Sequence, residues 1–443
     1  MTRRAVLLLA LAALIPAAAH ARGFHATDPD SAVRDFLRAL SDSTTDYFGA
    51  SAAARDTTGL DSMLAARLAG APGPPRRVPK TFVPALRFNR ADAVVYELGY
   101  MIGTPRSRMG EVFGSAAYAN GPDEWLWRAR FTRSFGDPLV PWRFRAYGEN
   151  QTEVMDRERS GSTLSSLRAL VSGTDRQSYF RAAGYGATLR RDETRWDAEI
   201  SWRDAVHSPL QTMATWNLVD NDLSIVENLQ AAPGRVREVG IGARTDLYLI
   251  PAEAEFVYET AGKATGSDYT FRRTRAAVAG NWGMGKFAAF VPQAAYGRLN
   301  GDVIPQAMFY LGSSSLVRSR TKDPRSGTGY AAGRLEVIGT QDILSLMHIP
   351  HPAMFPTQLG AFIASGAVWG PDAYGSTERE GLDWPNGEHW VSETGVSLIY
   401  QPGLPDPTYM VRIHYIVPLG PNDVEGRWSL TFSKAFESFR VGR

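Results

Sequence analysis

From residue 84 onward, apolar and polar side chains alternate in short runs. Trp196-Asp197-Ala198-Glu199-Ile200-Ser201-Trp202-Arg203 shows it most clearly. Trp125-Leu126-Trp127-Arg128-Ala129-Arg130-Phe131-Thr132, Trp142-Arg143-Phe144-Arg145-Ala146-Tyr147 and Trp428-Ser429-Leu430-Thr431-Phe432-Ser433 repeat it. Successive side chains of a strand point to opposite faces, so each run makes one apolar face and one wet face. A soluble sandwich also alternates, but rarely sets Trp against Arg so often; the pattern predicts an all-β fold, a transmembrane antiparallel β-barrel.

Strands are predicted near 84–103, 110–120, 124–135, 142–151, 183–192, 195–205, 236–248, 251–262, 269–281, 286–299, 303–311, 328–340, 356–369, 390–402, 408–418 and 427–436. They number about sixteen, an even count as bacterial barrels require. The best candidate for a spanning helix, 276–291, is broken by Asn281, Lys286 and glycines. A membrane location therefore requires closed strands, because lipid cannot satisfy an open sheet edge. Aromatic residues at strand ends, among them Tyr100, Trp125, Trp196, Trp369, Trp390, Tyr409, Trp428 and Phe436, fit interfacial girdles.

The first eighty residues have a different pattern. Arg3 and Arg4 precede an apolar run over 5–18, and Ala19-His20-Ala21 fits a small-x-small cleavage site, so 1–21 reads as a signal peptide. A membrane anchor is the weaker reading, since the run is shorter than the ~20 residues a spanning helix needs. Residues 22–80 form a short leader, helical or disordered, with helical spacing over 31–40 and 60–68 and a proline-rich linker over 70–80. Its functional reading is a periplasmic plug or docking helix. The barrel domain is expected over 81–439.

With Arg3 and Arg4 removed, the 48 Lys and Arg come level with the 46 Asp and Glu. That balance gives no support for nucleic-acid binding, which needs a basic surface. Zero cysteines exclude disulfides and thiolate metal sites.

Placing both barrel ends in the periplasm makes Asn120-Gly121-Pro122-Asp123 and Leu404-Pro405-Asp406-Pro407 periplasmic turns. Two long gaps, 152–182 and 206–235, then fall on the same side. Periplasmic turns are normally short, so both are anomalous there; they are expected to pack against that mouth or fold into it.

The segment Pro305-Gln306-Ala307-Met308-Phe309-Tyr310-Leu311-Gly312, followed by Leu316-Val317-Arg318, resembles the signature of the BamA/TamA family of bacterial surface antigens. Phe88-Asn89-Arg90-Ala91-Asp92 resembles that family's first strand, and Ala361-Phe362-Ile363-Ala364-Ser365-Gly366-Ala367-Val368-Trp369 its thirteenth. Gly395-Val396-Ser397-Leu398-Ile399-Tyr400 through Pro418-Leu419-Gly420 resembles its closing hairpin. The likeness covers about 84–436 and is most specific in the last third.

That resemblance implies a loop between the eleventh and twelfth strands whose arginine, here Arg318, folds back into the barrel. The chain departs from the family pattern at Gly312-Ser313 and Ser319-Arg320, and Ala364 stands where an aspartate usually faces that arginine. Glu336, on the twelfth strand, occupies the place of a second carboxylate, so an Arg318–Glu336 pair is expected to pin the loop. A solvated Arg318 on an external loop is the competing reading. The leader lacks the strand pattern of polypeptide-transport-associated (POTRA) domains, so the chain resembles a barrel-only member.

Catalytic signatures are missing: Gly-x-Ser-x-Gly, paired-histidine zinc and phosphate-loop spacings do not occur. His348-Ile349-Pro350-His351 has two imidazoles, but proline-broken spacing without a carboxylate pair reads as a loop. His414 is expected to face inward beside Arg412 as a lumen residue. No catalytic residue, cofactor or metal is expected.

The function implied by the resemblance is assisting insertion or translocation of proteins at the bacterial outer membrane. Outer-membrane lipid and unfolded outer-membrane or secreted proteins would be its partners, and the barrel would act as a monomer. The mechanics would lie at a lateral seam between the first strand, weakened by Pro84, and the last strand, near Phe436. A passive pore or structural barrel without a client is the alternative, and an enzyme on a barrel is a third. Sequencing the amino terminus of protein recovered from membranes should find Arg22 first; Met1 or Thr2 there would refute the cleavage site.

Overall fold

The computed structural model describes residues 80–434 apart from 108, 138–139, 158–169, 171–176, 194, 215, 217–226, 248–249, 312–315, 318–324, 350–355, 401–408 and 420–425. The expected signal peptide, helical leader, Arg318, His351 and Phe436 lie outside these residues.

Sixteen antiparallel strands form the wall, each paired with the next. In chain order they are β1 (Lys80–Asn89), β2 (Ala93–Gly103), β3 (Glu111–Ala119), β4 (Glu124–Phe135), β5 (Trp142–Val154), β6 (Tyr179–Asp192), β7 (Trp196–Pro209) and β8 (Gly234–Leu247). There follow β9 (Ala252–Ala261), β10 (Phe271–Gly280), β11 (Ala288–Gly301), β12 (Gly329–Gly339), β13 (Thr357–Trp369), β14 (Val391–Tyr400), β15 (Tyr409–Leu419) and β16 (Arg427–Lys434). A short segment, Trp282–Met284, continues β10 past Asn281 and also pairs with β11. No described helix is long and apolar enough to cross a membrane.

The burial pattern is inverted relative to a soluble protein. On β12, Arg334 and Glu336 are buried while Leu335 between them and Val337 after them are exposed, Leu335 at 47%. On β7, Ser201 and Arg203 are buried while Ile200 and Trp202 are exposed. Leu359 and Ile363 of β13 and Val396 and Leu398 of β14 extend the same outward apolar surface. Charge inside and grease outside is what alternation produces when the exterior solvent is hydrocarbon. The wall is curved, since Arg87 of β1 reaches Gln151 of β5 at 3.3 Å and Arg412 of β15 reaches Glu336 of β12 at 2.8 Å.

Two segments differ from the sequence expectation. The run 84–103 is a hairpin, not one strand. Asn89 closes it by accepting from the backbone N–H groups of Ala91 and Asp92 at 2.9 and 2.7 Å, and Ala93 takes a left-handed φ of 57°. The segment 303–311 leaves the wall: Pro305–Ala307 is a 3-10 turn, and Phe309–Leu311 pairs with Arg325–Gly327 as a small separate ribbon. One strand is gained and one lost, so the total survives.

The extra hairpin reverses the placement of the early connections. The turns at 90–92 and 120–123 and the long connections 155–178, 210–233 and 302–328 all leave one end, here the loop end. The connection 401–408 and both barrel termini lie at the other, the turn end. The two long gaps therefore do not share an end with Leu404-Pro405-Asp406-Pro407, which removes their anomaly.

Trp125, Trp196 and Trp428 are exposed on the wall as girdle residues should be, Trp428 at 70%. Trp369 is not one of them: it is fully buried against Tyr296 and Trp384, covered by the connection that follows it. Gly329 makes room for its indole, since a Cβ there would lie 2.1 Å from the ring.

Placing charge on the hydrocarbon face should be costly. Leu335→Arg is expected to lower barrel stability by ~2–4 kcal/mol in denaturant unfolding from lipid vesicles. An unchanged midpoint would show that this face does not meet lipid.

Candidate functional site: a loop folded into the lumen and an unlatched seam

The loop between β11 and β12 enters the barrel through the loop end. Ile304, Ala307, Met308, Phe309, Tyr310, Leu311, Leu316 and Val317 are all buried, in one core with residues of β6 and β8 through β14. Gly297 of β11 faces Phe309 so closely that a Cβ would stand 2.4 Å from its ring. Gly366 of β13 does the same for Val317 and Leu311 at 2.9 and 3.0 Å. Phe309 stacks on Tyr330 with ring centroids 5.7 Å apart, and the Arg273 guanidinium lies 4.4 Å above its ring.

Polar groups fix the loop's register. Gln306, with no solvent exposure, donates to the Ala232 carbonyl at 2.8 Å and accepts from the Ala232 N–H at 3.1 Å. This fork ties it to the connection before β8. Its Nε2 also lies 3.3 Å from Nδ1 of His207 on β7. Arg157 donates to the Gln306 carbonyl at 3.0 Å and to Glu238 and Glu259 at 3.1 and 3.0 Å. Glu259 also receives Arg273 at 3.1 Å, so one ionic chain joins β8, β9, β10 and two loops.

Above this layer, the Tyr310 hydroxyl donates to the Pro305 carbonyl at 2.7 Å, and its ring meets Tyr374 edge-on. Burial pushes the Tyr310 phenol well above its ordinary value, with Tyr374, Asp156 and Asp372 adding to the effect. Ser326 donates to Asp372 at 2.6 Å, and Asp372 also receives Arg379. The 370–390 connection thus closes over the inserted loop.

Of the residues predicted to latch the loop, Glu336 faces inward and is 1% exposed. It binds Arg412 of β15 at 2.8 and 3.1 Å and lies 3.6 Å from Arg334. Ala364, in the place of the family aspartate, is buried and shares the inner face with Phe362. The residues that hold the described part of the loop are Gln306, Arg157 and Phe309, which the sequence reading did not single out. Gln306 and Phe309 lie within the family-like segment; Arg157 carries no sequence signal.

His414 faces inward as expected. Its Nδ1 lies 2.7 Å from Ser397 Oγ, both side chains are fully buried, and the ring of Phe362 meets the imidazole edge-on. Among the described residues no cluster of three or more metal-ligating side chains occurs.

Pro84 lies midway along β1, opposite Leu98 of β2. Among the described residues no ladder joins β1 to β16: β1 pairs only with β2, and β16 only with β15. Pro84 has no N–H to offer such a ladder.

No protein-family model matches the chain, and no curated protein matches it in sequence. Solved structures do. The chain superposes on BamA from Haemophilus ducreyi lacking POTRA domains 1–3 with a TM-score of 0.50 at 11% identity, over 81% of this chain and 70% of that one. CdiB from Escherichia coli gives 0.44 at 11% identity, and CdiB from Acinetobacter baumannii 0.40 at 12%. Each covers 81% of this chain, which spans 62% and 60% of their lengths. The likeness to BamA is one of fold, the fold of an outer-membrane barrel.

If Gln306, Arg157 and Phe309 hold the loop, then Arg157→Ala and Phe309→Ala should each raise conductance of the reconstituted protein in planar bilayers. Phe309→Ala should also cost about 3–5 kcal/mol of stability. Conductance equal to wild type in both variants would remove the loop's closing role.

Proposed function

We propose that the protein is an outer-membrane barrel that assists insertion or translocation of client proteins, acting through its β1–β16 seam. Long loops belong to the cell exterior and short turns to the periplasm in bacterial barrels, which directs the loop end outward. The carrying observation is the pairing of a lumen filled by an inserted loop with a wall whose first and last strands share no described ladder. A filled lumen suits a gated or lateral route better than a steady pore. Unpaired strand edges offer N–H and C=O groups in register, which is how an extended client strand is recognised.

The expected clients are unfolded outer-membrane or secreted proteins, with Pro84 weakening the seam and the edge leading to Phe436 templating the client. The Arg318–Glu336 contact remains a proposal of the same reading: Glu336 already joins β12 to β15, and Arg318 would add the loop tip to that charge cluster.

The cysteine-free chain permits a direct test. A cysteine at Phe82 is combined in turn with single cysteines at 428 to 432, and the pair that oxidises to a disulfide is used to lock the seam. Depletion should lower a subset of outer-membrane or secreted proteins in the proteome, and the locked chain should fail to restore them until reduced. An unchanged proteome on depletion, with steady conductance that widens on Arg318→Ala, would establish the passive pore instead.

A further inference from the structure

Outward-facing positions on the wall are mostly apolar, yet the loop-end third of β8, β10 and β11 carries Arg235, Arg237, Arg272 and Arg298 on that outer face. Their facing follows from alternation. Val236, Glu238, Phe271, Arg273, Gly297 and Leu299 are the buried inner neighbours in sequence. From β7 to β11 the described outward strand positions include a single carboxylate, Asp204, buried beneath Arg235 and Arg237 and bound to each at 2.6 Å. Two guanidinium groups share one charge there.

Arg272 and Arg298 have no carboxylate partner among the described residues. Arg272 stands opposite Asn300, and Arg298 opposite Thr274, so the two arginines are diagonal neighbours on one face. Such pairs lie roughly 7–8 Å apart, within reach of one bound group. Like charges set side by side on the lipid face are unfavourable unless an anion lies between them. Elsewhere on the barrel, inner-wall arginines are ion-paired, as Arg130, Arg203, Arg273, Arg275 and Arg412 are. Tyr296, 43% exposed, lies one outward position below Arg298.

The geometry points to a binding site for a phosphorylated glycolipid of the outer leaflet, its phosphates between Arg272 and Arg298 and its sugar against Tyr296. The inference rests on the outer-membrane orientation proposed above. Charge complementarity selects the ligand: the four outward guanidinium groups outnumber Asp204 together with Asp268 and Asp302, which lie in the adjoining connections and accept from the Arg235 and Thr270 N–H groups. The net positive charge fits a multiply phosphorylated headgroup, whose oxygens match the guanidinium fork. Arg235 and Arg237, with the excess charge left by Asp204, extend the attraction along the same belt.

The test uses the full chain in detergent, first confirmed folded by its heat-modifiable gel mobility, and native mass spectrometry of bound lipid. The probes are bis-phosphorylated lipid A, the same lipid without phosphates, and phosphatidylglycerol. The phosphorylated lipid A should bind in preference to both others. The Arg272→Gln, Arg298→Gln double variant should lose about thirtyfold in apparent affinity, while Arg133→Gln, at an exposed outward site near the turn end, should lose nothing.

The single Arg298→Gln variant serves if the double variant does not fold, with a loss of about fivefold expected. Equal binding of dephosphorylated lipid, equal affinity in the variants, or equal binding of phosphatidylglycerol would each overturn the glycolipid site. In a chain that passes the mobility check, these failures leave the barrel intact. A chain that shows no folded form overturns the barrel reading itself, and this site with it.

Discussion

Charge that cannot reach bulk water has to be neutralised where it stands, and the inner wall is organised around that requirement. Arg203 of β7 reaches past β6 to Glu149 and Glu153 of β5. Arg334 of β12 reaches past β13 to Glu393 of β14, and Arg412 spans from β15 to Glu336 on β12. These contacts skip strands, so they act as struts across the curve. Removing one partner of such a buried pair typically costs about 3–5 kcal/mol, because the other charge is left stranded. The ladder hydrogen bonds make the sheet; the struts hold its curvature.

The inserted loop is built into the same lattice. Arg157 joins the Gln306 carbonyl to Glu238 and Glu259, and Arg273 lies between Glu259 and the face of Phe309. Loop and wall therefore share carboxylates, and displacing the loop would leave Arg157 and its acceptors to be satisfied again by water. Small residues provide the space: Gly297 and Gly366 are positions where any side chain would collide with the plug.

Most of the wall was legible because alternation on a two-sided sheet is a strong signal. β4, β7, β12 and β13 fall where the pattern puts them, and the twelfth and thirteenth positions of the family resemblance coincide with β12 and β13. The two misread segments have local causes. Residues 89–92 turn without glycine or proline, using the Asn89 side chain, so the sequence looks continuous. Ile304 and residues 307–311 are apolar because they are buried in the lumen, and burial in a plug resembles burial in a strand. These errors offset in number but reversed the facing of every connection between them. Trp369 was misjudged for a related reason: strand position shows which face a ring is on, not whether the connection that follows folds back to cover it. The meeting of the plug's polar anchors was not legible, because Arg157, His207 and Gln306 lie far apart in the chain and come together only through the fold.

The plug also divides the cylinder mechanically. Its core draws in β6 and β8 through β14, whereas β1, β2 and the two strands beside it contribute only to smaller separate clusters, such as Phe88 with Val94 and Val95 with Leu126. Thermal bending will therefore concentrate in the lightly filled quarter of the circumference, where the strands are held by their neighbours and by smaller contacts such as Arg87 with Gln151 and Phe88 with Leu170 and Ala214. A hinge placed there lets the circumference widen while the packed arc keeps its shape.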